Sequence, residues 1–579
     1  MSAMTETLAA SVEVVPMSKS TGRRTDMRSR GEPVLWSLGG ALAIGIVMIL
    51  GFLALVFSNG VMTFVPKPLV VVTEGDGELT AGEPFRSELF KPVAEDLAKL
   101  SPEWQQRIKD ADGYANRTLY RIGNFDIYGE DFRWVPDFDA TKFEEPKNLV
   151  FVERMEWGPF VGRVVGFKID GVDQPFTSLD DSKFRDVHDA SRERAQDIRK
   201  IERGDIGDIN HALEQERLNL RKIEMASGRN SAEYKTAQES LNTRSAALQL
   251  QYNELAATVS KLREANAKNT LTLAEIGGRE KTIEFSALVR AYAANDLSFA
   301  QKTGVYFSRW AEFLGGEPRE ANTEGGVFPA IFGTAAMTLL MVIVVAPFGI
   351  ITALYLREYA KQGRLVSFVR ISVNNLAGVP SIVYGVFGLG FFAYVLGGSL
   401  DSLFYAERLP NPTFGTGGLL WSALTLALLT VPVVIVATEE ALAAVPRSMR
   451  EGSLACGASK WQTIKYIVLP RAMPGVMTGI ILAMARGAGE VAPLMLVGVV
   501  KLAPELPIDG VFPFVHLERS FMHLGFHIFD VGFQSRNAEA GKPMVFVTTV
   551  LLIGLVTIVN ATAIVVRSRL KRRFAGSQF

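Results

Sequence analysis

Six stretches of this chain are apolar, almost free of charge and about 20 or more residues long: 34–57, 327–356, 371–396, 419–438, 476–499 and 544–566. A helix of about 20 such residues crosses the ~30 Å hydrocarbon core of a bilayer. In lipid, backbone polar groups must be satisfied within the segment, which leaves helices as the simplest solution for runs of this length. The sequence predicts a mainly α chain with six transmembrane helices. The first run is too long for the apolar core of a signal peptide, and no small-residue cleavage site follows it cleanly, so a retained helix is expected.

Basic residues fix the expected orientation. Arg23, Arg24, Arg28 and Arg30 precede the first run. Arg357, Lys361 and Arg364 lie between the second and third, and Arg447, Arg450, Lys460 and Lys465 between the fourth and fifth. Arg567, Arg569, Lys571, Arg572 and Arg573 follow the sixth. If all six runs span, every cluster falls on one side, which the positive-inside bias identifies as the cytoplasm. Both termini are then cytoplasmic, residues 1–33 form a disordered tail, and residues 58–325 lie outside, which is the periplasm if the source is a Gram-negative bacterium. Pro347, Pro380, Pro432 and Pro493 fall inside four of the runs and predict bent or locally unwound helices. Gly475 and Gly479, four apart, predict close packing of the fifth helix on a neighbour. Lys plus Arg and Asp plus Glu both number 61, so no basic surplus points to nucleic acid. The one cysteine, Cys456, excludes a disulfide framework and a thiolate metal site within a single chain.

The outer segment reads as α+β. Alternation around 119–122, 125–128 and 150–169, the last with a Gly158-Pro159 turn, predicts strands. Between 189 and 268 the pattern becomes helical. Leu241, Leu248, Leu255 and Leu262 repeat by seven, as do Ile206, Leu213 and Leu220, and Gly228-Arg229-Asn230-Ser231 separates the two runs. This predicts an antiparallel helical hairpin of about 50 Å, against the alternative of an intermolecular coiled coil, whose continuous seam Glu216 would spoil.

Two sites carry candidate chemistry. Residues 451–470 (EGSLACGASKWQTIKYIVLP) have helical spacing, with Gly457 breaking the helix after two turns and Pro470 expected to stop the second piece. A two-helix hook on the cytoplasmic face suits a partner protein; an ordinary interfacial amphipathic helix is the plainer reading. In the fifth run Arg486 and Glu490 sit one turn apart near mid-bilayer. A charge there costs at least about 2.5–3.5 kcal/mol, so it should face the protein interior. Either the two form a structural ion pair, or the guanidinium fork offers an oxyanion site that Glu490 holds and moderates. Glu439 and Glu440, ending the fourth run, pair with Arg447 or Arg450 or else touch the hook. His516, His523 and His527 follow the fifth run; the last two have zinc-compatible spacing, but surface or interfacial histidines are expected. Gly487 to Ala492 matches a dinucleotide fingerprint without its strand, a coincidence, and no phosphate-binding loop of an ATPase occurs.

The hook resembles the signature loop of ABC importer permeases: Glu451, Gly457, Ile467, Leu469 and Pro470 match E-A-A, three residues, G, nine residues, I-x-L-P, with Gly452 and Ser453 replacing the two alanines. The second half, about residues 327–573, is similar to PstA-type permeases of phosphate-specific ABC importers. The likeness is carried by GIITALYLREYA (349–360), LAGVPSIVYGVFGL (376–389), LTLALLTVPVVIVATEEAL (424–442) and ARGAGEVAPLMLVG (485–498). The resemblance implies a type I-like six-helix permease whose loop docks on an ATPase, with Arg486 in the phosphate pathway. It implies as partners a second permease, two ATP-binding subunits and a periplasmic phosphate-binding protein, with ATP on partner subunits and no cofactor, metal or catalytic residue here. The long outer insertion resembles extended versions of the subunit. A permease for sulfate or molybdate, and a membrane sensor using the hairpin, are the rival readings.

Overall fold

The computed structural model describes residues 32–575 apart from 504, 511, 536 and 537. The arginine-rich tail expected over 1–33 therefore falls almost wholly outside the described residues. Among the described residues, six helices are long and apolar enough to cross a membrane: Val34–Met62, Phe328–Tyr359, Ser381–Phe404, Leu419–Ala443, Lys460–Gly489 and Ala538–Arg569. The described residues fall into two compact units that divide between Ser58 and Asn59. The first holds most of the helix Glu32–Met62; the second holds everything below.

The fourth span is the hub of the membrane part. Its most apolar window is 67% buried, against 39% or less for the others. Met337, Met341 and Val345 of the second span and Val476, Ile480 and Ala483 of the fifth pack with its Leu426, Leu429 and Val434. Glycines allow the approach: a Cβ on Gly475 would lie 2.5 Å from that of Ala441, and one on Gly479 2.5 Å from that of Ala437. The expected glycine contact is thus made, and its neighbour is the fourth span.

Prolines redraw three boundaries. Pro347 and Pro432 do lie inside helices. Pro380 does not: a separate helix, Arg364–Leu376, ends before it, and the third span starts at Ser381 with Pro380 as its N-cap. The residue before proline avoids the helical region, so the chain turns there. Pro493 lies in a short helix, Ala492–Val497, cut off from the fifth span by the extended Glu490. Unwinding there removes the clash between a proline ring and the carbonyl four residues back. Pro470 does not stop its helix. A π-helical turn, Ile464–Val468, precedes Leu469–Gly489, which continues unbroken to the span's end. The wider turn absorbs the ring and the missing N–H.

Among the described residues the outer domain has a two-stranded sheet, Pro318–Arg319 with Glu324–Gly325, and two large sheets. Strands β1 (Val70–Glu74), β2 (Leu79–Phe90), β3 (Ala115–Arg121), β4 (Phe132–Pro136) and β5 (Ala140–Glu144) are ordered β4-β3-β2-β1-β5. Strands β6 (Val150–Arg154), β7 (Phe160–Ile169), β8 (Val172–Gln174), β9 (Thr270–Ala274), β10 (Glu280–Glu284) and β11 (Leu288–Tyr292) form the other, ordered β10-β9-β7-β6-β11 with β8 on β7. The strand expected at 125–128 is instead a helical turn, Phe125–Tyr128. Gly123 and Asn124 have positive φ, and the Asn124 amide exchanges two hydrogen bonds with the Val161 backbone, so the chain leaves the sheet. The helical hairpin forms within the chain. Ser182–Lys200 and Ile206–Ser227 run in one direction, and Ala232–Ala267 packs back along both. Glu216, read as a flaw in a seam, pairs with Arg244 of the opposite arm at 2.6 Å. The arm Ile206–Ser227 also meets the turn Ala406–Arg408 between the third and fourth spans.

The three histidines after the fifth span are buried rather than at the surface. His516 lies between Asp509 (2.9 Å) and Glu518 (3.1 Å), carboxylates that the sequence did not place beside it. Burial pushes the His523 and His527 rings down to about 4. Both are neutral at pH 7. As pH falls from 6.5 towards 4, the unfolded chain takes up protons that the folded chain refuses. Stability should then drop by about 1 kcal/mol per pH unit for each ring. Melting temperatures of the wild type between pH 7 and 5 should fall more steeply than those of a His523→Asn/His527→Asn variant; parallel curves would refute this.

Candidate functional site

The hook begins with helix Arg447–Ala455, which ends on Gly457 at φ +84°. The Gly457 N–H donates to the Leu454 carbonyl (3.0 Å) and the Ala458 N–H to that of Ser453 (3.2 Å). This paired closure requires a left-handed residue, which glycine adopts without strain. Ser459 then opens the next helix with a capping box closed by Gln462. The Ser453 and Thr463 hydroxyls meet at 2.9 Å and fasten the two arms together. Ser453, which the sequence shows only as a departure from the family alanine, is thus the clasp. Gly452 is exposed, with open space where a Cβ would stand. Glu451, Leu454 and Trp461 are exposed on the hook, Ile467 and Leu469 are half-buried, and Pro470 is in the first turn of the helix that runs into the bilayer.

Arginines join this hook to the spans. Arg450 donates to the Leu442 (2.7 Å) and Val445 (2.9 Å) carbonyls, capping the end of the fourth span, and pairs with Glu358 at 3.0 Å. Glu358 lies in the π-helical turn Tyr355–Tyr359 that ends the second span. Lys460 stands over the Tyr359 ring at 4.8 Å. Glu439 pairs with neither Arg447 nor Arg450: its partner is Arg370, at 3.2 Å, from the helix before the third span. Sequence reading missed Glu358, Arg370 and Arg450 as a set, because they are far apart in the chain. The only signal was a charge of each sign held at the inner ends of apolar runs.

Arg486 occupies the last turn of the fifth span and Glu490 the extended residue that ends it. Their Nε and Oε1 atoms are 3.6 Å apart, with side chains 35% and 22% exposed. The neighbouring Gly487 packs against Met341, which sets the pair level with the middle of the second span. Here the pair meets a break in the helix. The Glu490 N–H still reaches the Gly487 carbonyl (3.3 Å), and beyond Val491 the short helix Ala492–Val497 packs on the start of the third span, where Pro493 touches Gly385. A half-exposed guanidinium at a helix break has donors left for an anion. Among the described residues, no group of three His, Cys, Asp or Glu side chains is arranged to hold a metal ion.

A family model described as the inner membrane component of binding-protein-dependent transport systems matches residues 345–572, which leaves the outer domain outside it. The chain is 35% identical over 199 residues to the probable ABC transporter permease protein YqgH of Bacillus subtilis, covering 34% of this chain and 60% of that protein. It is 41% identical over 175 residues to the phosphate transport system permease protein PstA 1 of Mycobacterium tuberculosis, covering 30% and 52%. To the probable ABC transporter permease protein YqgI of Bacillus subtilis it is 31% identical over 241 residues, covering 40% and 76%. The chain thus spans between about half and three fifths of the first two of these relatives and three quarters of the third.

Substitutions in the hook should separate its parts. Gly457→Ala should destabilise it by about 1 kcal/mol, and Ser453→Ala by a similar ~1 kcal/mol. Gly452→Ala should stabilise its helix by about 1 kcal/mol. Amide hydrogen exchange across 447–463 reads all three; a neutral Gly457→Ala would contradict the left-handed closure.

Proposed function

The chain belongs to the inner membrane components of binding-protein-dependent transport systems, the permeases of ABC transporters, and from that premise we propose that it imports inorganic phosphate with energy from ATP hydrolysed on partner subunits. The observation that carries the proposal is the Arg486–Glu490 pair level with the middle of the second span, where the fifth span unwinds. Broken helices at the bilayer midplane are where transporters bind their cargo. A guanidinium matches phosphate oxygens, and the adjacent carboxylate limits its hold so that the anion can leave. Relatives whose names include phosphate transport support this choice of oxyanion over sulfate or molybdate.

In this reading the chain lines half of a pathway completed by a second, similar permease. It spans the cell membrane with both termini in the cytoplasm and the outer domain in the periplasm, where a loaded phosphate-binding protein docks. Two ATPase subunits close on ATP. The hook, with Glu451, Gly457, Ile467, Leu469 and Pro470, seats in one of them and passes the motion to the spans. Arg450, Glu358, Lys460 and Tyr359 supply the contacts for that transfer.

Phosphate uptake should fall by about tenfold or more in Arg486→Gln cells, while Arg486→Lys keeps part of it; normal uptake by both variants, each shown to reach the membrane, would make the pair purely structural. In the reconstituted complex, phosphate with its binding protein should stimulate ATP hydrolysis and sulfate should not. Stimulation by sulfate alone would reassign the cargo.

A further inference from the structure

Beyond the pathway, a cavity of about 370 Å³ lies where the outer domain meets the beginning of the sixth span. That volume is within the roughly 300–1,000 Å³ usual for small-molecule sites. One wall is an ion network of the outer domain. Arg309 donates to Glu153 (2.7 Å) and to the Phe64 carbonyl (3.1 Å), and Arg290 holds Glu153 from the other side. Glu312 is shared by Arg290 (3.1 Å) and Arg319 (2.6 Å), and Glu324 is held by Arg121 (2.6 Å). The charge of Glu83, a further carboxylate on the lining, acts on Arg309.

The carboxylates of Glu153, Glu312 and Glu324 are therefore engaged, and donors are left over. The Nε atoms of Arg121 and Arg319 are buried without a hydrogen-bond partner, and the Arg319 side chain is only 9% exposed. Buried donors left unmet are costly, and guanidinium groups donate best to anionic oxygen. Lys67 and Lys542 add two more cations to the lining, the first against the Phe85 ring at 5.2 Å and the second paired with Glu539 at 2.7 Å. The opposite wall is apolar, with Pro543, Met544 and Phe546 from the first turns of the sixth span. In the orientation proposed above, on which this inference rests, those turns stand at the outer end of a membrane-crossing helix, the level of lipid headgroups.

We propose that this cavity binds a phosphoryl oxyanion, supplied by the headgroup of a phospholipid in the outer face of the bilayer. The guanidinium donors and lysines take the phosphate oxygens, and the apolar wall takes the glyceride end. The same polar chemistry would accept free phosphate, and the apolar wall favours the ester.

Native mass spectrometry of the full chain, purified in detergent and stripped of lipid, tests this. The probes are phosphatidylglycerol, the headgroup-free diacylglycerol of the same chains, and inorganic phosphate. Phosphatidylglycerol should be retained and diacylglycerol not. Lys67→Gln and Lys542→Gln, both peripheral to the ion network, should each weaken retention about threefold, and Arg319→Gln by about tenfold or more. Binding of inorganic phosphate that depends on the two lysines, without retention of the lipid, would support the oxyanion site and assign it to the free anion. Equal retention of diacylglycerol and phosphatidylglycerol, or binding of every probe unchanged by both lysine variants, would overturn the proposal.

Discussion

Contact between the fourth span and its two neighbours sets the positions of the other membrane elements. In lipid there is no hydrophobic gain from pressing helices together, so association rests on close van der Waals approach. Gly349 brings the second span against Val434, where a Cβ would come within 2.6 Å of the valine side chain. Gly475 and Gly479 bring the fifth against Ala441 and Ala437. Any side chain at these three positions would push a neighbour away. With the second and fifth spans fixed to the fourth, Met341 reaches Gly487, and the Arg486–Glu490 pair is set level with the middle of the second span.

The same packing makes the inner end of the fourth span a firm base for the hook. Carbonyls at a helix end lack intrahelical partners, and Arg450 donates to that of Leu442 and, just past the span, that of Val445 while pairing with Glu358. One side chain thus ties the ends of the second and fourth spans to the hook's first helix. From the hook's second arm the chain rises without a break through the π-helical turn to Gly489. The hook's second arm and Arg486 are therefore joined by one continuous run of helix, beside the Arg450 contacts.

Much of this was legible in the sequence, and the misreadings share a cause. Hydropathy found all six spans, heptad spacing found both arms of the hairpin, and fixed spacing found the Gly457 turn. Hydropathy does not register where backbone conformation changes within an apolar run. Pro380 and Pro470 were each assigned by local rule, yet one caps a helix and one is absorbed by a π turn; the unwinding expected at Pro493 is found just before it. Likewise the alternation at 125–128 is that of a strand, but Gly123 and Asn124 turn the chain first. The Arg450–Glu358 and Arg370–Glu439 pairs join residues 92 and 69 positions apart, beyond any pattern of spacing. The buried neutral histidines escaped because polar composition suggests exposure, and only packing reveals otherwise.

The outer domain is tied to the far end of the broken fifth span. Glu320, Ala321 and Asn322 all have positive φ, between 42° and 77°, an uncommon conformation for residues other than glycine. Such strain persists where surrounding contacts determine it. Asn322 donates to the Lys501 carbonyl (3.1 Å) and to buried Asp530 (3.0 Å), which Lys501 also pairs with at 3.2 Å. Lys501 lies just past the short helix that follows Glu490. The break at Arg486–Glu490 is thus held at both ends, by the hook below and by this polar knot above. Residues between two fixed anchors can absorb motion only by changing backbone dihedrals. At the extended Glu490 the helical ladder ends, with its N–H on the Gly487 carbonyl (3.3 Å) as the last bond, so displacement of either anchor falls first on the residue beside the candidate anion site.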